Sequence, residues 1–524
     1  MAFGARLGSH CPPCLGRPPT EVYPATAAFF CTPSRVRSQG GGHRTNAFSA
    51  PSTPWHRPAE GAGRSFPFGV PMNSLATLGN LLRPVARFII RNYYSGIEIT
   101  GRERIPTTGP VVFVANHPNS MLDPAVVGLS VARPVHFVAK APIFAVPILG
   151  SLMRALGMIP AFRGRDDFAQ VGRNVGSLDD AAHWLERGEA VGIFPEGVSH
   201  DLLRLEQVRS GAARMAVQAA RHGARVSVIP LGLNYECKER FRSTVWVRVG
   251  EPIDVAAALP ALGDDDRKAV RQLTQEIDRR LKAVVVHLNE EPWSVFLPDL
   301  EGLLPPLPEF AQVPAAALRQ RKRIADAMNH YLATDRPRAE ALAGDIQQLR
   351  AALAAERLAL GSDVLRFRGR RLLGRIAGQT AWLAVSALPA AAGLIHHAAP
   401  FCFIHLVTRL VKPGTRDLLA LYRLLLDFPV YGLWYALVWW WLNGRSHAWV
   451  ATLWCALMPL AGLVTLFFVR TAGTTLATLW HEARLLLRPR RLHELRRHQL
   501  EIRHQLRLLA SDYAEVRPRD EFQR

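Results

Sequence analysis

Apolar residues in the first half of the chain occur in short runs that predict buried strands. The runs VVFVA at 111–115 and AVGIF at 190–194 each end in turn-forming residues. Residues 264–288 begin with an acidic triplet and continue with the spacing of an amphipathic helix. After a proline-rich linker at 305–314, residues 316–360 are rich in Ala, Leu and Arg and broken near Pro337, which predicts a helical hairpin.

The longest apolar segments lie in the C-terminal part of the chain. Residues 377–408 contain no Lys, Arg, Asp or Glu but are interrupted by Pro389 and Pro400, and residues 428–442 and 448–469 form two further runs. Because a span needs about 20 apolar residues and tryptophans flank the short loop between these two runs, we predict a transmembrane hairpin at 428–469. The three histidines of 377–408 are interpreted as interfacial residues, in preference to a metal site.

Arginines on both sides of the apolar region predict its orientation. They cluster at 366–375 before it and at 484–491 after it, and basic flanks favour the cytoplasmic side. An even number of crossings follows, so residues 377–408 are expected to form a short hairpin, a re-entrant pair or an in-plane element. The alternative is three spans with the basic tail on the outer side.

The net charge of +21 is unevenly distributed. Residues 1–71 hold seven Lys/Arg against two Asp/Glu, and residues 361–524 hold 22 against 10. A nucleic-acid-binding protein would carry a basic face with interleaved aromatic residues, whereas here the basic residues flank apolar segments, which favours a membrane surface. The six cysteines show neither a disulfide framework nor a zinc pattern, as expected in a reducing cytoplasm.

The N-terminal 71 residues differ from the rest in composition. They are rich in Pro, Gly, Ser and Arg and lack hydrophobic periodicity, which predicts a disordered extension or a transit peptide. Alternatively the true start is Met72, and residues 72–98 form an amphipathic interfacial helix that restarts or kinks at Pro84. Arg83, Arg87 and Arg91 would then share one helical face.

The first strand run is followed by a histidine and an aspartate. His117 and Asp123 are six residues apart, about 240° around a helix, so they need a loop to meet. Asp123 precedes Pro124 and is therefore interpreted as a helix N-cap after the turn of residues 116–122. The pair alone fits either a structural turn with a capping Asp or a proton-transfer dyad. Glu196 follows the second strand run, at the edge where ligands bind in open α/β sheets.

The chain resembles the glycerolipid acyltransferases, a family that includes glycerol-3-phosphate and 1-acylglycerol-3-phosphate acyltransferases. Four blocks occur in the family's order: NHPNSMLD at 116–123, GMIPAFRGR at 157–165, FPEGVSH at 194–200 and VIPLGLN at 228–234. SGAARMA at 210–216 also resembles the family's next segment. The resemblance covers about residues 85–260 and implies an α/β fold with a mixed sheet flanked by helices, here continued by a C-terminal helical extension and transmembrane helices.

These patterns divide the chain into six regions. The predicted order is an extension at 1–71, the interfacial helix at 72–98, the acyltransferase domain at 99–300, a linker and helical hairpin at 301–375, a membrane region at 376–470, and a basic cytoplasmic helical tail at 471–524. The fourth block is expected to be a core strand with Pro230 at its end.

The resemblance also implies roles for individual residues. His117 would act as general base and Asp123 would orient it, because the histidine pKa of about 6.5 suits proton transfer. Arg163 and Arg165 would bind the acceptor phosphate, and Glu196 and Gly197 would bind the acceptor and shape the site. Lys140, after the strand-like HFVA, either approaches the phosphates or is solvated.

Two features depart from the family pattern. Five residues separate His117 from Asp123 where the family has four, and this affects the identity of the acceptor more than the chemistry. Arg209 stands where Lys is common, which keeps the charge and changes its geometry.

The expected function is a membrane-bound acyltransferase without a cofactor or metal. Acyl-CoA or acyl carrier protein would be the donor, and glycerol 3-phosphate or 1-acylglycerol 3-phosphate the acceptor, at the cytoplasmic face of a membrane and without nucleic acid. One alternative is another lysophospholipid or an aminolipid as acceptor. An alternative of another class is a catalytically silent membrane scaffold.

Overall fold

The computed structural model describes residues 72–120, 122–145, 149–161, 174–200, 202–238, 242–262, 265–304, 313–367, 369–411 and 416–516. The predicted extension at 1–71 lies outside these residues, as do Arg163 and Arg165.

A mixed sheet of eight strands forms the centre of the N-terminal half. The strands are β1 (Gly96–Thr100), β2 (Val111–Ala115), β3 (Val135–Lys140), β4 (Ile159–Ala161), β5 (Ala190–Ile193), β6 (Ser227–Tyr235), β7 (Thr244–Val249) and β8 (Ile253–Asp254). Their order is β1-β7-β6-β2-β5-β3-β4, with β8 also paired to β6. β2, β3, β4, β5 and β6 run parallel, whereas β7 and β8 are antiparallel to β6. The predicted α/β class with a mixed sheet is confirmed.

Seven helices belong to this half: α1 (Met72–Tyr93), α2 (Asp123–Ser130), α3 (Leu149–Ala155), α4 (Asn174–Glu186), α5 (Gly211–Arg221), α6 (Val255–Leu262) and α7 (Asp266–Val284). All five residues of β2 are buried. Val112 and Val114 pack in one core with α4, α5 and α7, while Val111 and Phe113 pack in a second core with α1 and α2. Alternate side chains of a strand point to opposite faces, so the apolar run VVFVA is buried because helices cover both.

Two prolines lie inside elements that the sequence suggested they would end. α1 is assigned as one helix through Pro84. β6 continues through Pro230, so the expectation that this proline ends the strand is wrong. Pro230 lies where β6 changes its antiparallel partner, from β8 at Ser227 and Val228 to β7 at Leu231, and a missing N–H is tolerated at such a break.

The arginines of α1 have partners within the protein. Arg87 donates to the backbone carbonyls of Gly128 and Val131 at 3.2 Å each, at the end of α2, and Arg83 donates to the carbonyl of Leu156. Cations commonly bind the free carbonyls at helix C-termini. Two of the three arginines on the predicted interfacial face therefore stabilise the fold.

Eight helices make up the rest of the described chain: α8 (Leu297–Leu303), α9 (Ala316–Thr334), α10 (Arg336–Ala355), α11 (Asp363–Arg366), α12 (Gly369–Val411), α13 (Arg416–Asn443), α14 (Ala448–Leu486) and α15 (Pro489–Val516). The hairpin expected at 316–360 is α9 and α10. Asp335 caps α10 by accepting from the N–H of Arg338, and Pro337 lies in the first turn, where it is tolerated.

Residues 377–408 belong to the single helix α12, so the expectation of a hairpin or re-entrant pair is wrong. Pro400 cannot donate to the carbonyl of His396, four residues earlier, but the indole N–H of Trp434 donates to that carbonyl at 2.9 Å. A neighbouring helix thus satisfies the acceptor that the proline leaves open, as occurs in membrane helices.

Two helices among the described residues are long and apolar enough to cross a membrane, Gly369–Leu410 and Ala448–Leu486. They run antiparallel: Trp382 contacts Phe468, and Thr465 donates to the carbonyl of Ala390. α13 and α14 are joined by a short turn, in the region where a transmembrane hairpin is predicted.

Candidate active site

The end of β2 is fixed to β6 by a side chain. Asn116, the first residue after β2, donates to the carbonyl of Leu233 at 3.1 Å and accepts from its N–H at 2.7 Å. This amide replaces the next pair of backbone bonds, because it offers one donor and one acceptor. His117 therefore begins the loop from a defined position at the C-terminal edge of the parallel strands.

His117 and Asp123 form the predicted pair. Nδ1 of His117 lies 2.9 Å from Oδ2 of Asp123, whose side chain is 0% exposed. The other oxygen of Asp123 accepts from the hydroxyl of Tyr235 at 2.6 Å. Burial, and next the charge of Asp123, raise the pKa of Tyr235 well above its usual value, so this phenol stays protonated and donates.

Asp123 is the first residue of α2, preceded by Leu122, and its carboxylate caps no N–H of the helix. The expectation that it acts as an N-cap is wrong. Oδ2 accepts instead from the N–H of Asn119 at 2.8 Å, in the loop before the helix. With His117 and Tyr235, this bond directs the carboxylate into the site.

The extra residue between His117 and Asp123 is absorbed by the loop. Ser120 adopts a positive φ of 38°, a conformation uncommon outside glycine, and its N–H donates to Oγ of Ser199 at 3.3 Å. Asn119 donates to the hydroxyl of Tyr94, and Lys238 donates to the carbonyl of Pro118. The described residues of this loop are thus bonded to neighbouring segments, and the imidazole and the carboxylate are in contact.

The imidazole of His117 is held by stacking on one face. Its ring lies on Phe194 with 4.0 Å between centroids and 11° between planes, and Phe194 in turn stacks on Phe137. The His117 side chain is 14% exposed. Within the described part of the chain, no group hydrogen-bonds to Nε2, so this nitrogen is available to a substrate.

Glu196 connects the loop after β5 to the loop after β2. Its side chain is 0% exposed. One oxygen accepts from the backbone N–H of His117 at 3.0 Å, and the other from the N–H of Glu206 at 2.8 Å and from Nε2 of His200 at 2.5 Å. A carboxylate with three internal partners and no exposed surface positions neighbouring groups. Acceptor binding, the role implied by the resemblance, remains a prediction for this residue.

His200 is a site residue that the sequence reasoning did not select. The hydrogen bond that the imidazole of His200 donates to Glu196 raises the pKa of His200 despite partial burial. The sequence does contain a signal for this residue, because His200 follows Glu196 by four residues in the block FPEGVSH. A contact across a loop does not follow from that spacing alone.

Three other predicted residues, Gly197, Arg209 and Lys140, lie at the same edge of the sheet. Gly197 has a φ of 74°, and a Cβ there would lie 3.3 Å from Nε of Arg209, so glycine permits both the turn and the close arginine. Arg209 itself is exposed. Lys140 ends β3 and is in register with Ala161, the last described residue before the segment that contains Arg163 and Arg165.

The described residues contain no group of three or more His, Cys, Asp or Glu side chains placed to hold a metal ion. The described residues at this edge offer proton transfer by the imidazole of His117, which the carboxylate of Asp123 orients.

Comparison with known proteins identifies the region that contains this site. A family model described as Acyltransferase matches residues 96–234. Residues 96–234 are therefore similar to an acyltransferase domain. The match runs from β1 almost to the end of β6 and includes the His117–Asp123 pair and Glu196, so the predicted resemblance is confirmed for this region.

Curated relatives are also similar to part of the chain. The chain is 34% identical to glycerol-3-phosphate O-acyltransferase 1 of Saccharomyces cerevisiae over 111 residues, which is 20% of this chain and 15% of that protein. It is 33% identical to the chloroplastic 1-acyl-sn-glycerol-3-phosphate acyltransferase of Arabidopsis thaliana over 138 residues, 26% of this chain and 35% of that protein. The aligned regions thus span about a third of these relatives or less.

A solved structure is also similar to part of the chain. It is the 1-acyl-sn-glycerophosphate acyltransferase PlsC of Thermotoga maritima, 21% identical, with 40% of this chain and 78% of that chain covered and a TM-score of 0.28. The fold of the acyltransferase domain is accordingly described from its own strands and helices.

Proposed function

We propose that this protein is a membrane-bound O-acyltransferase. It would move a fatty acyl group from acyl-CoA or acyl carrier protein to a hydroxyl of glycerol 3-phosphate or 1-acylglycerol 3-phosphate in phospholipid biosynthesis. The observation that carries this proposal is the imidazole of His117, held by Asp123 at Nδ1 and open at Nε2. The names of the two relatives, a glycerol-3-phosphate and a 1-acyl-sn-glycerol-3-phosphate acyltransferase, support the choice of acceptor.

The geometry of the pair defines the proton path. A proton on Nδ1, donated to Asp123, leaves the lone pair of Nε2 free to accept from the acceptor hydroxyl. As the hydroxyl oxygen forms its bond to the thioester carbonyl carbon, its proton passes to Nε2. When the carbon–sulfur bond then breaks, the leaving thiolate takes that proton. The buried Asp123 stabilises the intermediate imidazolium, so no residue of the protein needs to become acylated.

Positive side chains at the same edge would bind the phosphate of the acceptor. Arg209 is exposed beside Gly197, and Lys140 ends β3 close to the start of the segment with Arg163 and Arg165. A guanidinium binds phosphate through two parallel hydrogen bonds. We assign the phosphate of the acceptor to these four residues.

The membrane assignment is supported by the arrangement of the C-terminal helices. A carboxylate oxygen of Glu482, near the end of α14, accepts from the N–H of Val364, just before α12. The start of one candidate span is therefore beside the end of the other. With both arginine-rich flanks on that side, we place the acyltransferase domain and the tail on the cytoplasmic face, with an even number of crossings.

Replacing His117 by Ala tests the general-base role. Membranes containing the variant should lose at least about 10²-fold in turnover with a labelled acyl donor, because general-base catalysis contributes about 10²–10⁴-fold. His183→Ala is the matched control, since this histidine is 63% exposed on α4. Unchanged turnover in His117→Ala would refute the assignment.

A panel of acceptors assayed with both thioester donors tests the substrates. Glycerol 3-phosphate or 1-acylglycerol 3-phosphate should be preferred to other lysophospholipids and to aminolipids, whose use is the alternative that the longer His117–Asp123 loop keeps open. Acylation of none of them by the wild-type protein would favour the membrane scaffold.

A further inference from the structure

A cavity of about 230 Å³ lies in the C-terminal helical bundle, outside the acyltransferase domain. Four helices form its wall: α8 through Leu300, α9 through Ile324, α10 through Ile346 and α15 through Leu506. These four side chains are otherwise buried in the core of the bundle. The cavity is thus an opening within a packed apolar core.

The size and chemistry of the cavity suit a hydrocarbon. An apolar cavity of about 150 Å³ stays dry and admits benzene, so this larger one has room for part of an alkyl chain. Ligand sites commonly combine an apolar wall with a few polar groups that fix orientation. Here Trp293 contributes an aromatic wall, and none of the lining residues is acidic.

The charged residues that line the cavity are cations. Arg507 lines it and is exposed to solvent, as is Ala510 one helical turn later, so the cavity opens on this side of α15. Arg323 of α9 also lines the cavity. A guanidinium pairs with a carboxylate through two parallel hydrogen bonds. An apolar interior with two arginines in its lining matches a molecule that has one alkyl chain and one acidic end.

We propose that this cavity binds a long-chain fatty acid, with part of its chain inside the bundle and its carboxylate at Arg323 and Arg507. A fatty acid is the smallest lipid that carries both parts. The site is separate from the His117–Asp123 pair, and its occupant is a ligand, not a reacting group.

Helix α9 connects this site to the sheet of the acyltransferase domain. One part of α9 forms cavity wall at Ile324, while Arg319, near its start, forms an ion pair with Glu98 of β1. Leu318 also clusters with Trp246 of β7. The fatty-acid site is therefore one helix away from the sheet.

Photolabelling of the full-length protein in phosphatidylcholine nanodiscs tests the proposal. A palmitate analogue with a diazirine in its chain is crosslinked by light, and the labelled peptides are mapped by mass spectrometry. We expect labels within residues 293–304, 320–332 and 506–513, reduced at least tenfold by excess unlabelled palmitate and much less by hexadecanol, which lacks the carboxylate.

Two variants make the test specific. Ala327→Phe places a ring in the cavity and should reduce labelling at least tenfold, whereas Ala333→Phe, at an exposed position of the same helix, should not. Since the first variant adds bulk to a packed region, Arg507→Gln is the second: it changes an exposed residue, and it should make palmitate and hexadecanol compete equally.

Three results would overturn the proposal. They are labelling confined to residues 369–486, labelling that palmitate does not reduce, and wild-type labelling in Ala327→Phe together with an unchanged preference for palmitate over hexadecanol in Arg507→Gln. Stronger competition by 1-acylglycerol 3-phosphate than by palmitate would overturn the choice of a fatty acid.

Discussion

The buried carboxylate of Glu196 offers a direct test of how this site is built. In Glu196→Gln the side chain keeps its size but one acceptor oxygen becomes an NH₂ group. The remaining oxygen can accept either from the N–H of His117 or from the N–H of Glu206 and Nε2 of His200. In either arrangement the new NH₂ group faces the donors that this oxygen does not reach. The variant thus places two donors against each other beside the general base.

The size of the effect follows from the bond that is lost. A hydrogen bond to a charged group contributes about 1.5–3 kcal/mol, and each 1.36 kcal/mol is a factor of ten in rate. If the loss acts on the position of His117, turnover should fall by about 10- to 150-fold. Because Glu196 is fully buried and positions the site from behind, KM for the acceptor should change little.

Steady-state kinetics with the acceptor varied at saturating donor would measure kcat and KM separately. Glu206→Gln is the control, because it removes a partly exposed carboxylate of the same loop and keeps the N–H that donates to Glu196. A raised acceptor KM with unchanged kcat would refute positioning and support the acceptor-binding role that the resemblance implies. An unchanged enzyme would refute both.

Three further outcomes are expected. Asp123→Asn should lower kcat by about 10⁴-fold at nearly constant KM, as loss of the orienting carboxylate does in Ser-His-Asp sites, and a loss under tenfold would contradict its role. The pKa of His200 is raised in the folded protein. Protonation of His200 therefore stabilises the fold below the unfolded-state pKa of about 6.5, and this contribution disappears as pH rises through the folded-state pKa. The melting temperature should fall more between pH 6 and 9 in wild type than in His200→Gln. Trp434→Phe should cost about 0.5–1.5 kcal/mol of stability, measured by denaturation in detergent, and an equal cost in a Pro400→Ala background would contradict the proposed rescue of the helix.

The parts of the site that the sequence predicts are those with local signals. His117 follows an apolar run that can only be a strand or a buried helix segment, and Asp123 precedes a proline that favours a helix start. Both positions are defined by neighbours within a few residues. The family blocks then select proton transfer over a structural turn.

The remaining contacts join distant parts of the chain, and local patterns carry no signal for them. Tyr235 donates to Asp123 across 112 residues, and only the pairing of β6 with β2 brings them together. The same reason explains the wrong expectation for α12. Two prolines in an apolar run predict breaks. At one of them the open acceptor is the carbonyl of His396, and the indole that donates to it lies 38 residues after His396 on another helix.

The longer loop between His117 and Asp123 separates two properties of the site. The pair makes a 2.9 Å contact in this longer loop, in which Ser120 has a positive φ and donates to Ser199 of the neighbouring loop. Proton transfer depends on the pair, whereas acceptor choice depends on the surface that these two loops and the basic residues present. A change in loop length can therefore alter the acceptor without altering the chemistry, and for this reason the acceptor panel and the His117 variant test independent parts of the proposal.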